Sequence, residues 1–448
     1  MLYCFKETSI VGLKVLKFGG SSLADAKHFR IVADIVNAEE ERRFVVPSAP
    51  GQRFKEDEKV TDLLYRCNEI AMEGRDITPI FDKIVARYND IIKELELDFS
   101  LEDEFNTIRK QIIAKAGADY AASRGEYLNG LILSAFLGYD FIDAQGVIFF
   151  KADGSLDADR TYEVLAAALA DHPHAVIPGF YGSMPDGRVR TFSRGGSDIT
   201  GAIVARATMA DLYENWTDVS GFMMADPRCI DNPKPIDVIT YKELRELSYM
   251  GATVLHEDAV FPVRAAGIPI NIKNTNDPAA KGTLIVPAAT EDKSDAIVTG
   301  IAGKVGFSII SIEKDMMNSE LGFGRRVLET LEVNGVNFEH LPSSIDSMSV
   351  IVKTDELEGK RDKIMDEIFR LTNPDAVVIE DGFALLAVVG RGMVRSKGTA
   401  ARIFASLANA SINIRMIDQG SSELNIIIGL DADDYIPALR AIYDEFNR

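Results

Sequence analysis

The chain has 448 residues, of which 46 % are hydrophobic and 26 % are charged, a composition typical of a globular protein rather than of a disordered, collagen-like or disulfide-framework chain. At about 150 residues per domain, the length predicts about three compact units. The 69 acidic residues outnumber the 49 basic residues, and the resulting net charge of −20 argues against general binding of nucleic acid or anionic lipid.

The sequence also predicts a cytoplasmic location. Its three cysteines, Cys4, Cys67 and Cys229, lack the spacing of a metal site and cannot all pair, which fits a reducing compartment. Lys6 and Glu7 stand where a signal peptide needs apolar residues, and no run approaches about 18 consecutive apolar residues. We therefore expect neither a membrane nor a nucleic acid as partner.

The first 295 residues alternate short apolar runs with helical patterns. Residues 15–18 form an apolar run that ends at the Gly-Gly pair 19–20, and Ser21 or Ser22 then offers an N-cap for a helix. The other runs predict strands at residues 44–46, 175–177, 212–216 and 268–272, and helices at about 103–116 and 199–209. Strands that alternate with helices predict a mostly parallel sheet covered on both faces.

The last third of the chain contains an internal repeat. Residues 283–295 change from apolar to polar and are the predicted linker, after which the sequence repeats at an offset of about 76 residues. Residues 307–312 align with residues 383–388 in this way, and the match continues through a glycine and a helix. Additional strands are predicted before the two copies, at residues 297–301 and 377–379. We therefore expect two small βαβ-type α+β modules in sequence.

Two glycine-rich turns are candidate anion sites. Residues 17–22 (KFGGSS) lie between a predicted strand and a helix, and residues 193–198 (SRGGSD) precede another helix. Glycines let backbone N–H groups approach an anion, and a helix N-terminus adds partial positive charge. Each signal alone is weak, because Gly-Gly is often a tight turn and Asp198 can simply cap its helix. Together they suggest two phosphate-bearing or carboxylate-bearing ligands brought together.

Two more segments carry candidate polar residues. Residues 217–221 follow a predicted strand at its carboxyl end, where ligands bind in open α/β sheets, although they can also be an ordinary loop beside a core Trp216. Residues 123–126 are predicted to start a helix, and Glu126 there is either a ligand for an ammonium group or a favourable charge at the helix start. The histidines and carboxylates are scattered, so their spacing predicts no metal site and no Ser-His-Asp triad.

Taken in order, these segments resemble the motifs of the amino-acid kinase family, and within it those of the aspartate kinases. The resemblance covers nearly the whole chain and includes further motifs, namely residues 48–51 (SAPG), 61–64 (TDLL), 123–126 (SRGE), 217–228 (TDVSG…ADPR), 250–256 (MGATVLH) and 281–284 (KGTL). It implies an α/β, three-layer amino-acid kinase fold with a mostly parallel sheet in residues 1–295. Two ferredoxin-like α+β ACT modules are implied to follow, at residues 296–375 and 376–448.

The resemblance implies that the γ-phosphoryl group of ATP is transferred to the side-chain carboxylate of L-aspartate, with Mg²⁺ accompanying the nucleotide. The residues it implies for catalysis are Lys17 and Asp198. The residues it implies for substrate binding are Ser48, Thr61, Glu126, Arg194 and Ser197, with Glu126 on the ammonium group and Arg194 on the α-carboxylate. The residues it implies for nucleotide binding are Lys17, Gly19, Gly20, Ser21, Thr217, Asp218 and Arg228. A single catalytic activity is expected, because the length leaves no room for a second catalytic domain.

For the C-terminal modules, the resemblance implies feedback inhibition by L-lysine, with L-threonine as the lesser option. The effector-contact residues that it implies are Met317, Asn318, Ser319, Gly322, Phe323, Ser343, Ile345 and Asp346. It also implies a homodimer, or a dimer of dimers, formed through the ACT modules. The alternative is that these modules only dimerise the protein.

Two residues depart from the family pattern. Met223 stands where the family often has Tyr, and Asn276 stands where some members have a Lys near the phosphates. Both departures bear on nucleotide binding. Two other functions stay open at this stage: a kinase that acts on glutamate or carbamate, and a non-catalytic amino-acid sensor whose kinase half no longer works.

Overall fold

The computed structural model describes residues 12–193, 195–252, 255, 257–287 and 296–447. The chain divides into two compact units by its internal contacts. Residues 1–222, 235–241 and 254–291 belong to the first unit, and residues 223–234, 242–253 and 292–448 belong to the second. In the described residues, no helix is long and apolar enough to cross a membrane.

The first unit is built on an eight-stranded sheet with the order β3-β4-β2-β1-β7-β9-β10-β8, counted over the described residues. Its strands are parallel except for the antiparallel pair β9 and β10. The strands are β1 (Lys14–Phe18), β2 (Arg42–Pro47), β3 (Asp140–Phe141), β4 (Ala175–Val176), β7 (Leu212–Thr217), β8 (Val238–Thr240), β9 (Ile270–Asn274) and β10 (Thr283–Val286). A small hairpin lies beside it, formed by β5 (Tyr181–Ser183) and β6 (Val189–Thr191).

Helices lie on both sides of this sheet. Leu16 and Phe18 of β1 pack into an apolar core, whereas the intervening Lys17 reaches Asp198 on the other side. Alternate strand residues point to opposite faces, so the sheet is the middle of three layers. The helices are α1 (Ala26–Asn37), α2 (Val60–Met72), α3 (Thr78–Glu94), α4 (Glu102–Ile113), α5 (Ala118–Leu137), α6 (Ala144–Val147), α7 (Ala158–Ala170), α8 (Gly196–Ala207), α9 (Tyr241–Tyr249, mostly in the second unit) and α10 (Glu257–Ala266).

Three local predictions for this unit were wrong. Asp25, rather than Ser21 or Ser22, caps α1, because its carboxylate accepts the backbone N–H of His28 at 3.0 Å. Residues 123–126 lie inside α5 and do not begin it, because the helix already starts at Ala118. Residues 283–286 are the buried strand β10 rather than the start of a linker, and the remainder of the predicted linker, 288–295, lies outside the described residues.

The second unit contains a six-stranded antiparallel sheet with the order β12-β13-β11-β14-β16-β15 in the described residues. Its elements occur in the same order twice, as the sequence repeat predicts. The first copy consists of β11 (Gly300–Glu313), α11 (Phe323–Val333), β12 (Phe338–His340), β13 (Ser347–Lys353) and α12 (Arg361–Thr372). The second copy consists of β14 (Ala376–Val389), α13 (Thr399–Asn409), β15 (Met416–Asp418), β16 (Asn425–Asp431) and α14 (Tyr435–Phe446).

The predicted leading strands are not separate elements. The strand predicted at residues 377–379 is continuous with the strand that follows it in β14. Of the strand predicted at residues 297–301, only residues 300–301 belong to β11, and β11 and β14 are both 14 residues long. Gly306 and Gly382 have positive φ values of 93° and 77°, and the pairing of β11 with β14 shifts register next to Gly306. The first half of β11 therefore pairs with the second half of β14, which in turn pairs with β16 of the second copy.

Candidate active site

Two loops at the carboxyl ends of β1 and β2 approach each other closely. The backbone N–H of Gly51 donates to the carbonyl oxygen of Gly20 at 2.8 Å. A Cβ atom at Gly20 would lie 2.8 Å from the carbonyl oxygen of Ala49, which is closer than such atoms pack in proteins. Glycine is therefore required at position 20 for the two loops to meet.

Lys17 and Asp198 form an ion pair in the space that these loops border. The Nζ atom of Lys17 lies 2.6 Å from Oδ1 of Asp198, and both side chains are largely buried. The amide Nδ2 of Asn215 donates to the same Oδ1 at 2.8 Å. Asp198 thus has its position fixed by a cation and an amide from two neighbouring strands, β1 and β7. Asn215 is a site residue that no local sequence signal identified.

Helix α8 directs its N-terminus into the same space. It begins at Gly196 after Gly195, which has a left-handed φ of 57°. A Cβ atom at Gly196 would overlap the ring of Phe180, so the chain can make this turn only with glycine. The free N–H groups of a first helical turn carry partial positive charge and favour an anion.

Glu126 is a buried carboxylate that forms no ion pair with any residue that the structure describes. It projects from α5, is 5 % exposed, and its Oε2 atom has no hydrogen-bond partner. Burial raises the pKa of Glu126 to about 8, and the backbone N–H of Ala49 only partly offsets this. Burial of an unpaired carboxylate is costly, and a bound cation would remove the cost. Glu126 is therefore suited to an ammonium group.

Helix α5 also holds the loop that carries Ser48. Asn129, one turn after Glu126, donates to the carbonyl oxygen of Ser48 at 2.7 Å. Tyr88 donates to the carbonyl oxygen of Gly125, also at 2.7 Å. Because Glu126 lies in the interior of α5 and not in its first turn, the helix holds its side chain in a fixed position at the cavity wall.

These groups surround one cavity of about 200 Å³. Its lining includes Gly195 and Gly196 of the second glycine-rich turn and Phe180, which the sequence did not indicate. It also brings together six of the predicted catalytic and substrate-binding residues: Lys17, Ser48, Thr61, Glu126, Ser197 and Asp198. The predicted residue Arg194 lies outside the described residues. The cavity thus has a buried lysine and a helix N-terminus for anions, and an unpaired carboxylate for a cation.

The predicted nucleotide residues divide between the two units. The N–H of Gly19 donates to the carbonyl oxygen of Trp216 at 3.0 Å, which places the first glycine loop beside Thr217 and Asp218 at the end of β7. Arg228 lies in the second unit, where its guanidinium pairs with Asp226 at 2.6 Å. Met223 is also in the second unit, whereas Asn276 follows β9 in the first.

The predicted effector segments lie together in the second unit. Met317–Ser319 form a short 3₁₀ turn. The N–H of Asn318 donates to the carbonyl oxygen of Ile345 at 3.0 Å, and the N–H of Met316 donates to the Asp346 carboxylate at 2.8 Å. Within the same pair of segments, Met317 and Phe323 are buried and the side chains of five residues are exposed: Asn318, Ser319, Ser343, Ile345 and Asp346.

Comparison with known proteins identifies the family. The sequence profile of the amino acid kinase family matches residues 12–274. The chain belongs to the amino acid kinase family. The profile of an ACT domain matches residues 386–446 of the same chain. The family and the predicted fold class are therefore confirmed.

The relatives are aspartokinases. Aspartokinase 3 of Bacillus subtilis is 38 % identical over 97 % of this chain and 98 % of its own length. The crystal structure of Clostridium acetobutylicum aspartate kinase has a TM-score of 0.90 at 50 % identity, and covers 98 % of this chain and 100 % of that one. Escherichia coli aspartokinase III, solved with aspartate and ADP and also with lysine and aspartate, has TM-scores of 0.74 and 0.73 at 25 % identity, over 97 % of this chain and 100 % of that one. Within its family, the chain is thus an aspartokinase.

Proposed function

We propose that the protein transfers the γ-phosphoryl group of ATP to the side-chain carboxylate of L-aspartate and so forms 4-phospho-L-aspartate, the first step of lysine, threonine and methionine biosynthesis. The observation that carries the proposal is the single cavity in which a Lys17–Asp198 pair, the N-terminus of α8 and an unpaired Glu126 converge. The Escherichia coli relative was solved with aspartate and ADP, which are a substrate and a product of this reaction.

The proposed chemistry needs positioning and charge neutralisation rather than a base. The side-chain carboxylate of aspartate is already ionised at pH 7, so no proton has to be removed before it attacks. Its attack on a triphosphate brings two anions together, and the main barrier is their mutual repulsion. Lys17 and the first-turn N–H groups of α8 would stabilise the charge on the transferred phosphoryl group. No histidine is required.

The remaining residues divide by the charge that they would bind. Glu126 would hold the substrate ammonium group, Arg194 the α-carboxylate, and Ser48, Thr61 and Ser197 would complete the substrate contacts. Gly19, Gly20, Ser21, Thr217, Asp218 and Arg228 would hold the nucleotide. Asp198 would orient Lys17 toward the phosphates. This division favours an amino acid with both a free ammonium group and a second carboxylate.

Magnesium would arrive with the nucleotide. The described residues contain no group of three or more His, Cys, Asp or Glu side chains that could hold a metal ion. Mg²⁺ usually keeps water and phosphate ligands and takes only one or two carboxylates from a protein, so a single Asp198 fits that role. We also propose a cytoplasmic location, because Cys67 and Cys229 are free thiols.

We expect ADP release by the protein to depend on aspartate. A coupled assay with MgATP should give turnover with L-aspartate, and at most background turnover with L-glutamate or without an acceptor. The hydroxamate formed from an acyl phosphate would report the product directly. Equal rates with glutamate would indicate another amino acid kinase, and no turnover with any acceptor would indicate a sensor; either result would contradict the proposal.

We further propose that L-lysine is the feedback inhibitor, with L-threonine the lesser option, and that the ACT modules join the chains as a homodimer or a dimer of dimers. The support is the lysine complex of the Escherichia coli relative and the clustering of the effector segments. Inhibition requires that lysine bind two global states unequally. Sedimentation at several protein concentrations would test the assembly.

We expect saturating lysine to lower the rate at subsaturating aspartate by about fivefold or more, within the usual range of allosteric coupling. Asn318→Ala and Asp346→Ala should weaken this inhibition and leave the uninhibited rate unchanged. Val394→Ala is the matched control, because Val394 is an exposed residue of the equivalent 3₁₀ turn in the second copy. If neither lysine nor threonine at saturation alters the rate, the proposed regulation is wrong.

A further inference from the structure

A second and larger cavity lies on the opposite face of the sheet from Lys17. It has a volume of about 530 Å³ and is bordered by α1, by Trp216 of β7, and by Lys273 and Thr275 at the end of β9. Neither Lys17, Glu126 nor Asp198 lines it. This cavity is therefore distinct from the cavity of the proposed phosphoryl-transfer site, although its lining includes Asn276, the position at which some family members have a lysine near the phosphates.

The acidic groups at this cavity are mostly paired already. Glu39 forms ion pairs with Lys14 and, at 2.7 Å, with Arg42. Glu214, beneath the cavity, accepts from Nε of Arg42 at 3.0 Å and from the indole N–H of Trp216 at 3.0 Å. Lys14 and Arg42 thus neutralise the two carboxylates of Glu39 and Glu214. Asp34 also lines the cavity, but it is exposed to solvent on α1. One lysine on the cavity wall is not part of this ion-pair network.

That lysine is Lys273. Its side chain makes no hydrogen bond or ion pair with any other residue that the structure describes, and its Nζ lies 5.1 Å from the centroid of the Trp216 ring. Burial lowers the pKa of Lys273, and the attraction of Glu214 only partly opposes this. An ammonium group that is half buried, unpaired and next to an aromatic ring is stabilised by a further anion.

Part of the cavity wall is apolar. Ile31, Ile35 and Ala38 of α1 face it from one side, and Pro278 faces it from the other. Small-molecule sites commonly combine such apolar walls with a few polar groups that fix the ligand's orientation, and their volumes are about 300–1,000 Å³. The wall therefore suits the apolar part of a ligand, and Lys273 suits its charged end.

We propose that this cavity binds a small amphiphilic organic anion, with an apolar or aromatic body beside Trp216 and one carboxylate or sulfonate group on Lys273. The proposal does not depend on the phosphoryl-transfer reaction, since it rests on a different face of the sheet. The chain offers a direct reporter, because Trp216 is its only tryptophan.

The test uses 8-anilinonaphthalene-1-sulfonate, an aromatic monoanion that accepts energy from excited tryptophan, with the full-length protein. Excitation of Trp216 should give sensitised probe emission that saturates at one probe per chain. Lys273→Met should weaken this binding by about tenfold or more, as expected for loss of the only charge that pairs with a buried ligand charge. Lys273→Arg should restore it to within about threefold of the wild type.

Two controls make the result specific. Lys27→Met removes an exposed lysine from the same helix α1 and should leave probe binding unchanged. N-Phenyl-1-naphthylamine has the same aromatic body without the sulfonate. It should bind the wild type more weakly than the sulfonate probe does, and it should bind the wild type and Lys273→Met with equal affinity. Circular dichroism and thermal unfolding establish that each variant is folded.

The proposal is overturned if Lys273→Met and Lys27→Met bind the sulfonate equally, or if the neutral amine binds the wild type as tightly as the sulfonate does. It is also overturned if MgADP displaces the probe competitively and completely, since the cavity would then be part of the nucleotide site.

Discussion

Lys17→Met is expected to lower kcat by at least about 10²-fold, the effect seen when one group that stabilises developing charge is removed. In the proposed reaction Lys17 neutralises the phosphates at the moment of transfer, and its Nζ is held 2.6 Å from Asp198. Asp198→Asn should produce a loss of similar size, because the lysine would lose its ionic partner and its orientation. Steady-state ADP release with aspartate measures both.

The double variant Lys17→Met/Asp198→Asn distinguishes a joint role from two independent ones. Groups that act as one unit are strongly non-additive, so the double variant should be about as slow as the worse single variant. Lys27→Met, an exposed lysine on α1, is the control and should retain wild-type turnover. Near-wild-type rates in either single variant, with thermal unfolding unchanged, would contradict the proposed role of the pair.

Glu126→Gln is expected to raise the KM for aspartate by about tenfold or more, because the substrate ammonium would lose its only proposed carboxylate partner. Ammonium binding also requires the ionised form of Glu126, whose pKa burial has raised to about 8. At pH 7 the wild type should therefore release close to one proton when aspartate binds, and at a pH well above 8 it should release none. Glu126→Gln should release none at any pH.

Calorimetric titration in two buffers with different ionisation enthalpies measures this proton release.

The raised pKa of Glu126 also has a consequence for the stability of the folded state. Between the unfolded value of 4.5 and about pH 8, the folded state holds a proton that the unfolded state has lost, so stability falls as the pH rises through this window. Glu126→Gln should reduce that slope. If proton release is the same in wild type and variant, another group is responsible and Glu126 does not bind the ammonium.

Some of the site could be predicted from the sequence because its signals are local. An apolar strand followed directly by glycines, as at residues 15–20, indicates a loop at a strand end wherever the strand lies. The repeat was also readable, because β11 and β14 and the two glycines that precede α11 and α13 keep a constant offset. The fold class and the family follow from such patterns.

The rest could not be predicted, because it depends on packing between distant segments. Residues 123–126 were predicted to start a helix, yet they are buried inside α5, and Glu126 among them lines the cavity. Asn215 on β7 donates to Asp198 on α8, a contact between residues 17 positions apart that no local pattern indicates. The pairing of Lys273 with Trp216 likewise joins strands that only the sheet order brings together.

Because β11 of the first copy pairs with β14 of the second copy, the first copy cannot complete its sheet before the second copy has been synthesised. Residues 300–305 leave the ribosome early, but their partners in β14, residues 384–389, follow 79 to 89 residues later. Until then, residues 300–305 have no partner strand, although the N–H of Ile301 donates to the carbonyl oxygen of Met224 at 2.7 Å in the folded chain. An unpaired strand edge invites pairing with other chains. A chain truncated between the two copies would lack β14 and would leave the first half of β11 without its partner strand.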